Sequence, residues 1–114
     1  MKIAIIGSRT FNDFNLFTLL INKLNLNFTQ IITGGAKGTD SLAEKYANEN
    51  KIKLLIIKPE YDKYHFKKAP LMRNKEIVSK CNMVIAFWNG TSTGTLFTIN
   101  EAKKQNIPVK IIYI

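Results

Sequence analysis

The rhythm of short apolar runs along this chain restricts its fold more than any other feature. Lys2 to Ile6, Gln30 to Thr33, Lys53 to Ile57, Met83 to Phe87 and a last run opening at Pro108 and ending at Ile114 are rich in Ile, Leu and Val. Such runs suit strands buried on both faces of a parallel sheet. Between them the apolar spacing becomes helical. Phe14, Phe17, Leu20, Ile21 and Leu24 share one face behind a cap at Asn12 or Asp13, and Leu42, Ala43, Tyr46 and Ala47 repeat the arrangement. Pro70 suits the first turn of a third helix, whose buried side carries Leu71, Ile77, Val78 and Cys81. A fourth helix, Gly94 to Asn106, turns Leu96, Ile99 and Ala102 inward. Strict strand–helix alternation with short connections and right-handed crossovers predicts an α/β fold. We expect a single Rossmann-like three-layer domain over residues 1–114, a five-stranded parallel sheet with helices on both faces.

The size fits one core: 114 residues and 13.0 kDa, with 46% hydrophobic and 22% charged residues. The longest apolar runs, such as Ile3 to Ile6 and Met83 to Trp88, are far shorter than the ~20 residues of a membrane-spanning helix. Met1 to Gly7 leaves no room for a signal peptide, so a cytoplasmic location and no membrane partner are expected. Cys81 is the only cysteine and His65 the only histidine. An intramolecular disulfide is therefore excluded, a Cys/His zinc site lacks its ligands, and we expect neither metal nor cofactor.

Seventeen Lys and Arg against eight Asp and Glu give a net charge of +9, which invites a nucleic-acid reading. Fifteen of the seventeen are lysines spread from Lys2 to Lys110, in a chain equally crowded with Asn and Ile. A/T-rich codons produce the same composition, and no basic stripe is visible. The two arginines, Arg9 and Arg73, stand out because each lies beside a strand end or a helix start.

All six glycines follow strands: Gly7 the first, Gly34, Gly35 and Gly38 the second, Gly90 and Gly94 the fourth. Ligands of open parallel sheets bind at that edge, where permissive backbone turns its N–H groups outward. Short strand–helix turns also need glycine for their own geometry, so a single loop decides little, whereas three loops together point to a site. Gly7-Ser8-Arg9-Thr10 offers hydroxyls and a guanidinium suited to phosphate. Gly35-Ala36-Lys37-Gly38-Thr39-Asp40 and Asn89-Gly90-Thr91-Ser92-Thr93-Gly94-Thr95 each run into a helix N-terminus, which favours anions. The chain has no G-x-x-x-x-G-K-[ST], and one glycine stands where dinucleotide binders carry G-x-G-x-x-G. Neither a P-loop NTPase nor a standard NAD dehydrogenase fits.

Gly7-Ser8-Arg9 with Phe11 and Asp13, Gly34 to Asp40 with Leu42-Ala43, Met72-Arg73-Asn74, Val84 to Trp88 and Gly94-Thr95 occur in order along the chain. This set resembles the YspA-like branch of the SLOG superfamily, which groups the DNA-processing protein DprA with the LOG phosphoribohydrolases. The resemblance implies a Rossmann-like fold, a nucleotide or nucleotide-derived ligand at the glycine-rich edge, and a homo-oligomer. It places ligand contacts at Gly7, Ser8, Arg9, Gly34, Gly35, Ala36, Lys37, Gly38, Asp40, Arg73, Asn74, Trp88, Ser92, Thr93, Gly94 and Thr95. LOG enzymes cleave an N-glycosidic bond with an Arg near a helix start and a loop ending Gly-Thr-x-x-Glu. Arg73 and Gly94-Thr95 match the first and part of the second, but Phe97 and Thr98 occupy the region of the glutamate.

Glycosidic cleavage needs a carboxylate for the developing oxocarbenium ion or the water. Asp40 and Glu101 are the candidate catalytic acids if the chain is an enzyme. Against this, Asp40 suits a helix cap and Glu101 a solvent-facing position. Glu76, three residues after Arg73, is placed to pair with it. Trp88 suits either stacking on a base or packing. Tyr61, Tyr64, His65 and Phe66 form an aromatic loop that would serve as a lid or lie on the surface, and Cys81 reads as core filling. Three functions remain open: binding of a signalling nucleotide for sensing or sequestration, N-glycosidase action on a nucleotide, and DprA-like binding of single-stranded nucleic acid through the +9 charge.

Overall fold

The computed structural model describes residues 1–114 and contains five strands alternating with four helices. Strand β1 spans Lys2–Gly7, β2 Gln30–Thr33, β3 Lys53–Ile56, β4 Met83–Trp88 and β5 Val109–Tyr113. Helix α1 spans Phe14–Lys23, α2 Thr39–Glu49, α3 Ala69–Ser79 and α4 Thr93–Lys104. All strand pairs are parallel, in the order β3-β2-β1-β4-β5. The expected Rossmann-like architecture is therefore present. Element ends differ from the sequence reading by a residue or two, as frayed ends do. The last strand starts at Val109 because Pro108 lacks an N–H, and its carbonyl instead accepts from the Val84 amide at 2.9 Å.

Side-chain alternation along the central strands divides the core between two faces. Ile3 and Ile5 of β1, with Ile85 and Phe87 of β4, face α1 and α2 and pack with Phe17, Ile21 and Tyr46. Rings dominate this side: Phe87 stacks on Phe17 at 4.9 Å and on Phe11 at 5.4 Å between centroids, within the range that favours aromatic pairs. Ala4, Ile6, Val84 and Ala86 face α3 and α4 and meet Ile77, Val78, Ile99 and Ala102. Cys81 is buried among them as expected. Leu96, expected inward, is 39% exposed. Thr95, Thr98, Ile99 and Ala102 take the buried face of α4, and Leu96 falls outside that face.

Asp13, not Asn12, caps α1: its Oδ1 accepts the Leu16 amide at 3.0 Å. Asp13→Ala should cost about 1 kcal/mol, the ordinary value of an N-cap, read by urea denaturation. No loss would show that the core contacts of Phe17 and Ile21 alone hold the helix.

The order of strands reverses between β1 and β4, so the chain leaves β1 toward the face of α1 and leaves β4 toward the face of α4. A crevice opens between such diverging connections, and it lies at the C-terminal edge of the sheet.

Candidate functional site

Several segments meet in this crevice around a cavity of about 440 Å³. The β1–α1 loop contributes Gly7, Ser8, Arg9 and Thr10; the β2–α2 segment contributes Ala36 and Asp40. Pro70, Leu71, Arg73 and Asn74 come from α3, Asn89 and Ser92 from the loop after β4, and Thr93, Gly94, Thr95 and Thr98 from α4. The strand edge adds Ile6.

Hydrogen bonds tie the loops together before any ligand is considered. The Ser8 amide donates to the Phe87 carbonyl at 2.8 Å, and Ser8 Oγ accepts the Asn89 amide at 3.1 Å. Thr39 Oγ1 donates to the Ser8 carbonyl at 3.0 Å. The first loop is thus fixed to both the second and the fourth. Glycine allows this contact. A Cβ on Gly38, whose φ is +73°, would lie 2.4 Å from the Arg9 carbonyl oxygen, so no other residue fits there without moving backbone.

Arg73 and Asp40 organise the floor around Gly34. Arg73 is 8% exposed and Asp40 4%. The Gly34 amide donates to Asp40 Oδ2 at 3.1 Å, and the Ala36 amide donates to the same oxygen at 3.2 Å. The Gly34 carbonyl accepts from Arg73 Nη1, while Arg73 Nε donates to Asn74 Oδ1 at 2.8 Å. The two peptide groups of Gly34 therefore link the Arg73 guanidinium to the Asp40 carboxyl, and Nη2 of the guanidinium has no protein partner. Glu76, the partner expected for Arg73, instead pairs with Lys80 at 3.3 Å, one turn along the exposed side of α3.

This arrangement changes the role of the second glycine loop. Its Gly34 and Ala36 amides converge on the protein's own carboxylate, leaving neither for an outside anion. Gly34, Gly35, Lys37 and Gly38 do not line the cavity. Gly35 and Gly38 answer turn geometry, at φ +72° and +73°, and Lys37 is exposed. Trp88 also lies outside: its ring packs near Tyr113 at 5.9 Å, and Nε1 donates to the Ser92 carbonyl at 3.0 Å. Glu101 is buried rather than solvent-facing, accepts from Gln105 Nε2 at 3.0 Å, and does not line the cavity. Tyr61, Tyr64, His65 and Phe66 do not line it; Tyr61 and Phe66 are 58% and 63% exposed, and His65 packs on Phe66.

Eleven of the expected contacts do line the cavity: Gly7, Ser8, Arg9, Ala36, Asp40, Arg73, Asn74, Ser92, Thr93, Gly94 and Thr95. Ile6, Thr10, Pro70, Leu71, Asn89 and Thr98 join them. Thr10 and Asn89 stand inside loops already singled out from sequence. Thr98 was legible one helical turn beyond Gly94, whereas nothing in sequence spacing marks Leu71 as a wall residue.

The fourth loop is the part left open to an anion. Asn89 Oδ1 accepts the Thr91 and Ser92 amides at 2.9 Å each, which fixes the turn into α4. Ser92 occupies the N-cap but makes no side-chain cap bond. The amides of Thr93, Gly94 and Thr95 open the helix and have no intrahelical acceptor, and their residues line the cavity. The helix dipole adds to their pull on negative charge.

Burial sets the electrostatics. It raises the Asp40 carboxyl above its ordinary value, against the Ala36 N–H, Arg73 and the Gly34 N–H, which favour the charged form. Burial also lowers Arg73, with Asp40 opposing the shift and the like charge of Arg9 adding to it. Arg9 and Arg73 thus repel each other across the site, and an anion between them would relieve that repulsion. Because the folded state raises Asp40 above 3.8, protonation favours folding, so this group's contribution improves as pH falls through its folded value. Urea denaturation of the wild type and Asp40→Asn at stepped pH should show the wild type gaining relative to the variant as pH is lowered in that window. A constant difference would contradict the assignment.

Comparison with known proteins agrees with the fold. Residues 1–64 match the family described as YAcAr: YspA, cpYpsA-related SLOG family. The chain belongs to that family. This SLOG-family chain is also 31% identical over 116 residues to Gene 61 protein of Mycobacterium phage D29, covering 95% of itself and 93% of that protein. The X-ray structure of DNA processing protein A (DprA) from Streptococcus pneumoniae superposes with a TM-score of 0.78 at 22% identity, over 96% of this chain. The SLOG-family chain spans about half, 49%, of that DprA chain, and the likeness is one of fold. No helix is long and apolar enough to cross a membrane.

Proposed function

We propose that this chain binds a nucleotide or nucleotide-derived ligand, with its phosphate held between Arg73 and the first turn of α4. One observation carries the reading: a buried guanidinium lines the cavity with no carboxylate in ion-pair range and with Nη2 unpartnered. Burying such a charge is costly unless something compensates it, and Asp40 does so in part, by its charge and through the Gly34 backbone, without reaching ion-pair distance. A phosphate completes the arrangement. It accepts from Nη2 and from the amides of Gly94 and Thr95, and Arg9 adds charge at the mouth. The Ser92 and Thr95 hydroxyls, 3.1 Å apart, and the exposed Thr10 hydroxyl supply partners for ribose. A volume of about 440 Å³ lies within the range of small-molecule sites.

Binding, rather than glycosidic cleavage, is the reading the side chains support. Asp40 is the one acid lining the cavity, and its Oδ2 already accepts two amides. The experiment is denaturation of the purified protein with mass spectrometry of any released small molecule, then a thermal-shift panel of mono-, di- and cyclic nucleotides. A nucleotide that raises the Tm of the wild type and of Lys103→Ala, but not of Arg73→Ala, is the expected result. A panel without any shift contradicts the proposal. Affinity should fall only shallowly with salt; a steep slope with polynucleotide would favour a single-strand binder.

A further inference from the structure

A second groove of about 360 Å³ lies against a different side of α3 from the cavity and shares the Arg73 side chain with it. The cavity takes Pro70, Leu71 and Asn74 from that helix, whereas the groove takes Ala69, Met72, Lys75, Glu76 and Ser79. Its remaining wall comes from Gln105 and from the segment after β3, including Lys58, Glu60, Lys63 and Tyr64. Turns in which the Lys63 and Tyr64 amides donate to the Glu60 carbonyl, at 3.1 and 3.0 Å, fold that segment.

The charge of this groove is unbalanced. Lys58, Lys63 and Lys75 line it, and none has a carboxylate within ion-pair distance; the ion pairs of the chain are Lys45–Glu49 and Lys80–Glu76. Of its two acids, Glu76 is already engaged by Lys80. Lys75 is half-buried on α3, so its stem forms part of the groove wall, and its ammonium has no carboxylate partner. Tyr64 brings a ring beside these charges, with Lys63 Nζ 5.4 Å from its centroid. Unpaired ammonium groups beside an aromatic face are the chemistry that recognises phosphate next to a base.

We infer that this groove binds a second phosphate of the ligand whose first phosphate lies in the cavity, so the ligand class is a nucleotide with two separated phosphates. The inference rests on the proposed function, since the first phosphate is the one assigned there. Arg73 forms a wall of both spaces and lies between the two anions.

The test compares AMP with the linear dinucleotide pApA by isothermal titration, together with amide NMR during a titration with inorganic pyrophosphate. The wild type should bind pApA about tenfold more tightly than AMP, the gain of one added charge-assisted contact. Lys63→Ala combined with Lys75→Ala should remove that gain and leave AMP binding unchanged, while Lys103→Ala keeps both. Equal affinities for AMP and pApA, or a gain that survives the paired substitution, would overturn the inference. Pyrophosphate separates the two readings. Shifts at Thr93 to Thr95 with silence at Tyr64 and Lys75 keep the proposed function and remove the groove. Shifts at Tyr64 and Lys75 alone contradict the proposed function and leave the groove as an independent anion site, overturning the shared ligand.

Discussion

Gly7→Ala should destabilise the protein by about 4 kcal/mol or more, enough to unfold much of a domain of ordinary stability. A Cβ at this position would sit 2.3 Å from the Phe87 carbonyl oxygen, 2.7 Å from Thr39 Oγ1 and 2.9 Å from Phe87 Cβ. The first contact is with backbone at the centre of the sheet, where β1 and β4 pair and where the Ser8 amide bonds the same carbonyl. Relief would require parting those strands and disturbing the rings stacked on Phe87. Gly94→Ala supplies the contrast. Nothing lies within 4 Å of its added Cβ, and the position is in the first turn of α4. Its stability should rise by about 0.4–1 kcal/mol, because alanine restricts the unfolded chain, while nucleotide affinity falls because the methyl enters the phosphate's space. Urea denaturation and isothermal titration on the two variants read both effects. A Gly7→Ala loss below about 1 kcal/mol would show that the strands can separate cheaply and would contradict the packing described above.

Arg73→Ala should weaken nucleotide binding by about tenfold to a hundredfold, the worth of a charge-assisted hydrogen bond. The substitution also removes the donor to the Gly34 carbonyl and the charge facing Asp40, so stability falls together with affinity. Arg73→Lys separates the two effects. A lysine keeps the charge but loses the fork that holds Gly34 and Asn74 while offering Nη2 outward, so affinity should be intermediate. Titrations run well below the Tm of each variant check this. Unchanged affinity in a folded Arg73→Ala protein would remove the anion site from the cavity.

The architecture was legible in sequence because each element carries its own period. Ile3 to Ile6 and Val84 to Phe87 are buried on both faces, as continuous apolar runs require, and the helical stripe through Phe17 and Ile21 meets the sheet as spaced. The site was legible at the level of loops, since strand ends in a parallel sheet share one edge. Individual roles were harder to read. Gly7, Gly34 and Gly38 are glycines because Phe87, Arg73 and Arg9 press on them, residues that lie 80, 39 and 29 positions away in the sequence. Asp40 suits either a ligand contact or a helix cap in sequence; it lines the cavity and also accepts the Gly34 and Ala36 amides of its own loop. Glu101 and Leu96 exchanged their expected environments because α4 turns a face of Thr, Ile and Ala toward the core.

The most direct test of the anion site is diffraction from crystals grown with the nucleotide that gives the largest thermal shift. Its phosphate should lie within 3.2 Å or so of Arg73 Nη2 and of the Gly94 and Thr95 amides, with the Asp40 contacts to Gly34 and Ala36 intact. A nucleotide bound elsewhere on the surface, with Arg73 turned to another partner of its own chain, would contradict the account.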